Sequence, residues 1–382
     1  GYMSNMAVFF TRGVSLQMWL ESGLFYREKN IYEQHLKKNN YKKIYWLTYG
    51  VNDKKISESL KEKGELDKNI YVLEMPEKYN SKLGMFIYSI KMVSIYKKEL
   101  KSCVIKKTNQ MDGAWSAYYA KKKTGGVFSL RTGYTLSAFT DNNNNIKYIK
   151  KKIIHFIEKY LYTKADVAFV SSKHDKNYIV DNYGIDADKI DILRNYIDTN
   201  IFYNRKNIDE KNEFVFVGRL NEQKNLFNTI KAVNNAGMKL NIYGNGELKK
   251  DLELFIKKNN FNCELKGYIA NSELPVVLNE YKYFILASHI EGMPKSLLEA
   301  MACGRICVGT DVDGINELII NGKTGILASD TSEKSIKEAL HTVISINEKD
   351  NIASNAEQLI RELYSLGSIV EIEMRAYSRY EE

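Results

Sequence analysis

Short apolar runs alternate with amphipathic, helix-patterned stretches along the whole chain, and the alternation restarts near its middle. In the first half AVFFT precedes a helical pattern over 19–37, followed by KIYWLTY, IYVLEM, KSCVIKKT, GGVFSLR and DVAFVSS. A polar, irregular stretch, RNYIDTNIFYNRKNIDEKN, intervenes; EFVFVGR, KLNIYG, CELKGY, YFILAS and RICVGT then each lead into a turn and usually a helical segment. Apolar runs separated by helices read as parallel strands covered on both faces. At 382 residues the chain exceeds the size at which a single core keeps growing. The expected fold is therefore α/β, with two Rossmann-like doubly wound domains facing across a cleft, over 1–205 and 206–367. A final amphipathic segment, 368–382, is expected to pack back on the first domain. In open α/β sheets nucleotides bind outside the carboxyl ends of the strands, so the site is expected between the domains.

Composition narrows the function classes. A hydrophobic fraction of 44%, a charged fraction of 27% and only 3 prolines describe an ordered globular chain. No stretch approaches the roughly 20 apolar residues a membrane-spanning helix needs. The opening GYMSNMAVFFTRG has no basic segment before its apolar run, so no secretory signal is expected. Cys103, Cys263, Cys303 and Cys307 lack paired spacing, and His35, His155, His174, His289 and His341 are scattered. No metal site is expected, and free thiols fit a reducing cytoplasm. The asparagine run over 142–145 reads as an exposed loop. Residues 1–205 hold 35 Lys+Arg against 21 Asp+Glu, whereas 206–382 hold 21 against 26. The first half is the one expected to meet an anionic partner or surface.

Two segments of the second half can carry chemistry. FVFVGRLNEQKNLFNTIKAV reads as strand, turn and helix, with Leu226, Ile230 and Val233 at helical spacing. Arg219 leaves the strand and Lys224 sits near the helix start, where two cations and a helix dipole can hold a diphosphate and stabilise it as it leaves. Two solvated surface charges are the plain alternative. ASHIEGMPKSLLEAMACG runs from a strand end through a tight loop into a short helix, with Pro294 at its first turn and Gly304 as its stop. Glu291 and Glu299 can accept hydrogen bonds from sugar and ribose hydroxyls, while the Gly292 and Met293 amides can face sugar and phosphate oxygens. Alone, the two glutamates also read as ordinary helix-flanking surface charges.

In order, VGRLNEQKN, YGNGELKKDLE, LKGYIANSELP, EGMPKSLLEAMACG and GTDVDGINELIINGKTG resemble family 4 of the retaining GT-B glycosyltransferases. The resemblance covers most of the C-terminal half. It implies a metal-independent hexosyltransferase whose donor is a nucleotide diphosphate sugar, UDP on family frequency, and needs no other cofactor. The same resemblance implies that Gly218, Arg219, Lys224, Tyr268, Ile269 and Glu299 hold the nucleotide. Glu291, Gly292, Met293 and Pro294 then meet the sugar and phosphate, with Arg219, Lys224 and Glu291 as the catalytic set. Tyr268 and Ile269 also read as core.

The first half resembles the family more weakly, through FFTRGVSLQMW, TNQMDGAWSAYYAKK, LRTGYTLS, ADVAFVSS and LRNYID, with Tyr196 where the family usually has glycine. Gly13 leaves the first strand where a ligand would want close backbone approach, although a turn glycine reads equally well. Arg131 stands where many relatives carry histidine; a guanidinium can fork onto an acceptor phosphate but is no general base. His289, two residues before Glu291, reads as structural.

IKYIKKKIIHFIEKYLYTK and YSIKMVSIYKKELKSCVIKK combine lysines with an apolar helical register. Each fits a helix lying on an anionic bilayer, or one packed on the sheet with its lysines solvated. The expected partners are a nucleotide-sugar donor, a glycan or polyprenyl-linked acceptor of surface-polysaccharide synthesis and an anionic membrane on its cytoplasmic face, with no nucleic acid. Two competing readings are a nucleotide-sugar epimerase of similar fold and a non-catalytic basic binding module. Absence of GxGxxG after the first strand disfavours a dinucleotide enzyme. No RNP, zinc-finger or helix-turn-helix signature supports nucleic acid.

Overall fold

The structure, a computed structural model, describes residues 4–133 and 148–380. It forms two compact units, Gly1–Asn195 with Leu366–Glu382, and Tyr196–Ser365. The expected loop over 142–145 and the start of the lysine-rich segment at Lys147 lie outside the described residues.

Among the described residues the first unit holds a seven-stranded sheet of β1 (Asn5–Phe9), β2 (Ile44–Leu47), β3 (Ile70–Leu73), β4 (Cys103–Thr108), β5 (Val127–Arg131), β6 (Val167–Val170) and β7 (Ile190–Ile192). Their order is β3-β2-β1-β4-β5-β6-β7, and every pairing is parallel. The second unit holds β8 (Lys211–Val217), β9 (Leu240–Tyr243), β10 (Cys263–Gly267), β11 (Tyr281–Leu286), β12 (Ile306–Thr310) and β13 (Ile326–Ala328), ordered β10-β9-β8-β11-β12-β13 and again parallel throughout. Central strands such as β6 and β12 are buried along their whole length, which is why they read as near-continuous apolar runs. Edge strand β10 instead alternates half-buried with exposed residues. Its Glu264 is flanked by Lys239 at 3.1 Å and Lys266 at 3.0 Å, charges that discourage pairing with another chain.

The strand order reverses at β1/β4 in the first unit and at β8/β11 in the second. Loops leaving adjacent strands in opposite directions open a crevice there, at the carboxyl end of each sheet. Three local features shape the units further. The helical stretch after β1 is broken by Gly23 at φ 76° into Leu16–Ser22 and Leu24–Lys37, a left-handed link that glycine adopts without strain. The polar stretch after Asn195 opens the second unit: the Ile197 amide donates to the Tyr364 carbonyl at 2.7 Å and the side chain is buried. Finally, the C-terminal helix Leu366–Tyr377 belongs to the first unit, fastened by charges inside the core. Lys107 Nζ of β4 lies 2.8 Å from Glu373 Oε1, both side chains fully buried, with His35 Nε2 at 3.4 Å. Tyr377 donates to the same carboxylate at 2.9 Å and meets Ser129 Oγ at 2.8 Å.

Candidate functional site

The crevice at β8/β11 gathers most of the expected donor residues. On its β8 side, the loops after β8, β9 and β10 are laced by backbone. Gly218 N–H donates to the Tyr243 carbonyl at 3.1 Å and Gly244 N–H to the Gly267 carbonyl at 2.8 Å. Gly244 has φ 142°, and a Cβ there would lie 1.8 Å from the Gly218 oxygen, so only glycine lets these loops approach. Between them opens a cavity of about 310 Å³ lined by Gly218, Arg219, Tyr268 and Ile269, all expected, together with Tyr243 and Asn245, which were not. Tyr268 is 74% exposed rather than core, and it lines the opening. Arg219 is also exposed, its Nε 3.7 Å from Glu247, a contact weak enough in water to be exchanged for a ligand.

Across the switch point, a single 3₁₀ turn, Glu222–Lys224, precedes the helix Leu226–Asn235. Asn225, left-handed at φ 55°, pins the turn by donating to the carbonyls of Ala287 at 2.9 Å and Thr331 at 2.8 Å. The turn carries Lys224 Nζ to 2.5 Å from Glu291 Oε1, and the same oxygen accepts from Ser288 Oγ at 2.7 Å. Ser288 is itself fixed, its carbonyl accepting from Thr310 Oγ1 at 2.6 Å. Gln223 bonds both ways with the following loop: its Nε2 donates to the Ile290 carbonyl at 2.8 Å, and its carbonyl accepts from His289 N–H at 2.9 Å. His289 Nδ1 lies 3.0 Å from Thr331 Oγ1, a contact that braces the loop. Gly314, at φ 84°, supports it from behind, where a Cβ would fall 2.7 Å from the Gly292 oxygen.

Glu291 is thus a buried carboxylate with one oxygen taken by Lys224 and Ser288. An ammonium has three donors, so Lys224 can keep Glu291 and still meet a phosphate oxygen. Gly292 and Met293 are exposed at the loop tip, and Pro294 is buried at the N-terminus of the helix Lys295–Ala302. Glu299 on that helix is buried, not the surface charge its spacing alone suggests, with Lys295 Nζ 3.8 Å away. Among the described residues no group of three or more His, Cys, Asp or Glu side chains is placed to hold a metal ion. Ser288 and Asn225 are contributors that sequence reasoning passed over. Ser288 could have been noticed as the polar residue immediately following a fully apolar strand end.

Gly13 and Arg131 belong to the first unit. Gly13 follows β1 at its switch point with φ 81°. Beside it Arg12 forks onto Asp112 at 2.9 and 3.2 Å. Arg131 ends β5 and is buried, close enough to Tyr32 and Lys107 for its charge to act on both. Burial depresses the Lys107 ammonium. Burial alone would raise the Glu373 carboxyl, but Lys107 and His35 outweigh it and hold the group well below the usual carboxylate range.

Residues 198–359 match the family described as Glycosyl transferases group 1. An N-acetylgalactosamine-N,N'-diacetylbacillosaminyl-diphospho-undecaprenol 4-alpha-N-acetylgalactosaminyltransferase of Campylobacter jejuni is 32% identical, over 52% of this chain and 58% of its own. The O-antigen biosynthesis glycosyltransferase WbnH of Escherichia coli is 32% identical over 48% of this chain and 52% of its own. The chain spans about half the length of the curated relatives it matches. Anabaena HepE, solved in complex with UDP, superposes with a TM-score of 0.69 over 98% of this chain and 100% of that one, at 15% identity. The fold is that of two Rossmann-like α/β domains, and the second of them, over residues 198–359, is a match to the glycosyl transferases group 1 family.

Proposed function

We propose that this protein is a retaining glycosyltransferase that moves a hexosyl or N-acetylhexosaminyl unit from a UDP-sugar to a glycan or polyprenyl-linked acceptor in surface-polysaccharide synthesis. The observation that carries the reading is the Lys224–Glu291–Ser288 constellation at the β8/β11 switch point, next to the cavity lined by Gly218, Arg219 and Tyr268. Relatives named for O-antigen and diphospho-undecaprenol glycosyl transfer support it.

In this reading the second unit binds the donor and the first serves the acceptor. Tyr268 and Ile269 meet the base, Glu299 the ribose, and Arg219 and Lys224 the diphosphate. The oxygen of Glu291 not held by Lys224 and Ser288 accepts from a sugar hydroxyl, with Gly292, Met293 and Pro294 lining the sugar and phosphate. The bond from the anomeric carbon to the diphosphate breaks as the acceptor oxygen bonds to that carbon on the same face. The acceptor proton passes to the departing phosphate, whose charge Arg219 and Lys224 stabilise. The two cations supply that charge without a metal, so turnover is expected to survive a chelator. Gly13 and Arg131 belong to the acceptor side, Arg131 as a fork for an acceptor phosphate.

Thermal shift with UDP, GDP, ADP and dTDP, on the wild type and on Glu299→Ala, tests the donor site, because a ligand that binds only the folded state raises its stability. A shift with UDP that is lost in the variant is expected. No shift with any nucleotide would remove the donor site, and release of nucleotide without sugar transfer to an acceptor would favour an epimerase or hydrolase.

A further inference from the structure

The helix Tyr148–Lys164 does not pack the way an amphipathic helix on a sheet usually does. It buries Glu158, Leu161 and Tyr162, and leaves Ile149, Ile153, Phe156 and Tyr160 exposed at spacing i, i+4, i+7, i+11. That spacing is a continuous outward stripe. A second helix of the same unit, Lys82–Ile95, repeats the arrangement, burying Tyr88, Met92 and Val93 while exposing Leu83, Phe86, Ile87 and Ile90. The helix Trp115–Thr124 joins the stripes through ring contacts, Phe86 to Trp115 at 6.2 Å on one side and Tyr118 to Tyr160 at 6.0 Å on the other. Exposed apolar residues scattered singly need no explanation, but one face built from three helices does.

Charge says what covers it. These three helices carry ten lysines and one carboxylate, Glu158, which is buried. Lysines lie over the tyrosines of the face: Lys152 over Tyr148 at 4.6 Å, Lys164 over Tyr160 at 5.6 Å and Lys122 over Tyr118 at 5.8 Å. Such stems cover apolar surface while their ammonium groups reach outward to the level of a headgroup. A second copy of the chain on this face would set lysines against lysines, and the three helices carry no exposed carboxylate to answer them. Nucleic acid would answer the charge but leave Leu83, Ile90, Ile149 and Ile153 without a partner, since aliphatic side chains offer bases no stacking face. We infer that the face formed by helices Lys82–Ile95, Trp115–Thr124 and Tyr148–Lys164 docks on an anionic phospholipid bilayer, its aliphatic and aromatic side chains entering the acyl boundary and its lysines meeting the headgroups. This goes beyond the catalytic reading and requires no sugar transfer.

Sedimentation of the full chain with vesicles of phosphatidylcholine, alone or mixed with phosphatidylglycerol, tests the docking. Retention on the mixed vesicles, absence from neutral ones and weakening with salt are expected. In Leu83→Ser/Phe86→Ser and Ile153→Ser/Phe156→Ser, partitioning should fall by about tenfold or more, on the scale of removing one buried apolar side chain. Each of Lys91→Gln, Lys152→Gln and Lys159→Gln should cost roughly fivefold. No retention on mixed vesicles overturns the inference. So does retention that single-stranded DNA abolishes and the serine variants leave intact, which would mark a general polyanion surface, or a dimer in solution that the serine variants dissolve. The exposed substitutions should leave the melting temperature and any UDP-induced shift unchanged, so loss of docking and loss of the donor site are read separately.

Discussion

Lys224 and Glu291 are bound to each other, and this makes their substitutions differ from that of Arg219. Glu291 is buried and its ammonium partner mostly so. Lys224→Ala therefore leaves a buried carboxylate with Ser288 alone, at a stability cost of about 3–5 kcal/mol, and in the proposed mechanism it also removes a transition-state contact worth on the order of a hundredfold in turnover. Arg219 is exposed and its contact to Glu247 is loose. Arg219→Ala should lose turnover to a similar extent, on the order of a hundredfold, with an unchanged melting temperature. Kinetics and calorimetry on the two variants check both halves, and near wild-type turnover in both would remove their assigned roles. Ser288→Ala is the milder case. Loss of one hydrogen bond to Glu291 should raise KM for the donor more than it lowers kcat. At this scale the sequence showed which residues carry charge but not which charges already face one another. Lys224 and Glu291 are 67 positions apart, and only the adjacency of β8 and β11 joins them.

Between strands and helices, the glycine turns and the C-terminal helix carry the testable consequences. Gly244→Ala would drive a Cβ into the Gly218 carbonyl, so the loops lining the cavity must separate. The expected result is a lowered melting temperature together with loss of the nucleotide-induced shift; an intact shift would show that this lacing does not shape the cavity. For the helix Leu366–Tyr377, Glu373 has a folded carboxyl depressed by Lys107 and His35 against the opposing effect of burial. A depressed folded value stabilises above the unfolded carboxyl value near ~4.3, and the contribution fades as pH falls below that towards the folded value. Urea midpoints should accordingly drop between about pH 5 and pH 3. Glu373→Gln should be less stable at pH 7, because Lys107 stays buried without its counter-charge, and should lose less on acidification. Equal acid slopes in variant and wild type would contradict this. Helix existence was readable from apolar spacing, whereas facing was not. The helix Tyr148–Lys164 contains both Leu161 and Tyr162, which go inward, and Ile149, Ile153 and Phe156, which do not. Periodicity supplies two apolar stripes without saying which meets the sheet.

Each sheet of the molecule has its own core, and the chain passes from the first unit to the second after Asn195 and returns after Ser365. The restart of the strand pattern at EFVFVGR made the doubling legible, and the apolar runs placed eleven of the strands. The other two, β7 and β13, are edge strands of three residues each, too short for any pattern to register. The return of the chain has a consequence for stability. Without 366–382 the first unit loses the carboxylate opposite Lys107, the Tyr377 hydroxyl that meets Ser129, and the cover that the buried Ile369, Val370 and Tyr377 give its core. The second unit closes on itself, with Ile197 bonded to Tyr364 and bridged to Ser365, so it loses none of these contacts. A chain ending at Ser365 should consequently melt in two steps: an early transition of the first unit, destabilised by about 1.5–3 kcal/mol for each large apolar side chain whose burial is lost, and a later one that still rises with UDP. Calorimetry with and without UDP separates the two. A single early transition insensitive to UDP would mean that the second unit depends on the first for its fold, and that two self-contained cores are not independent in stability.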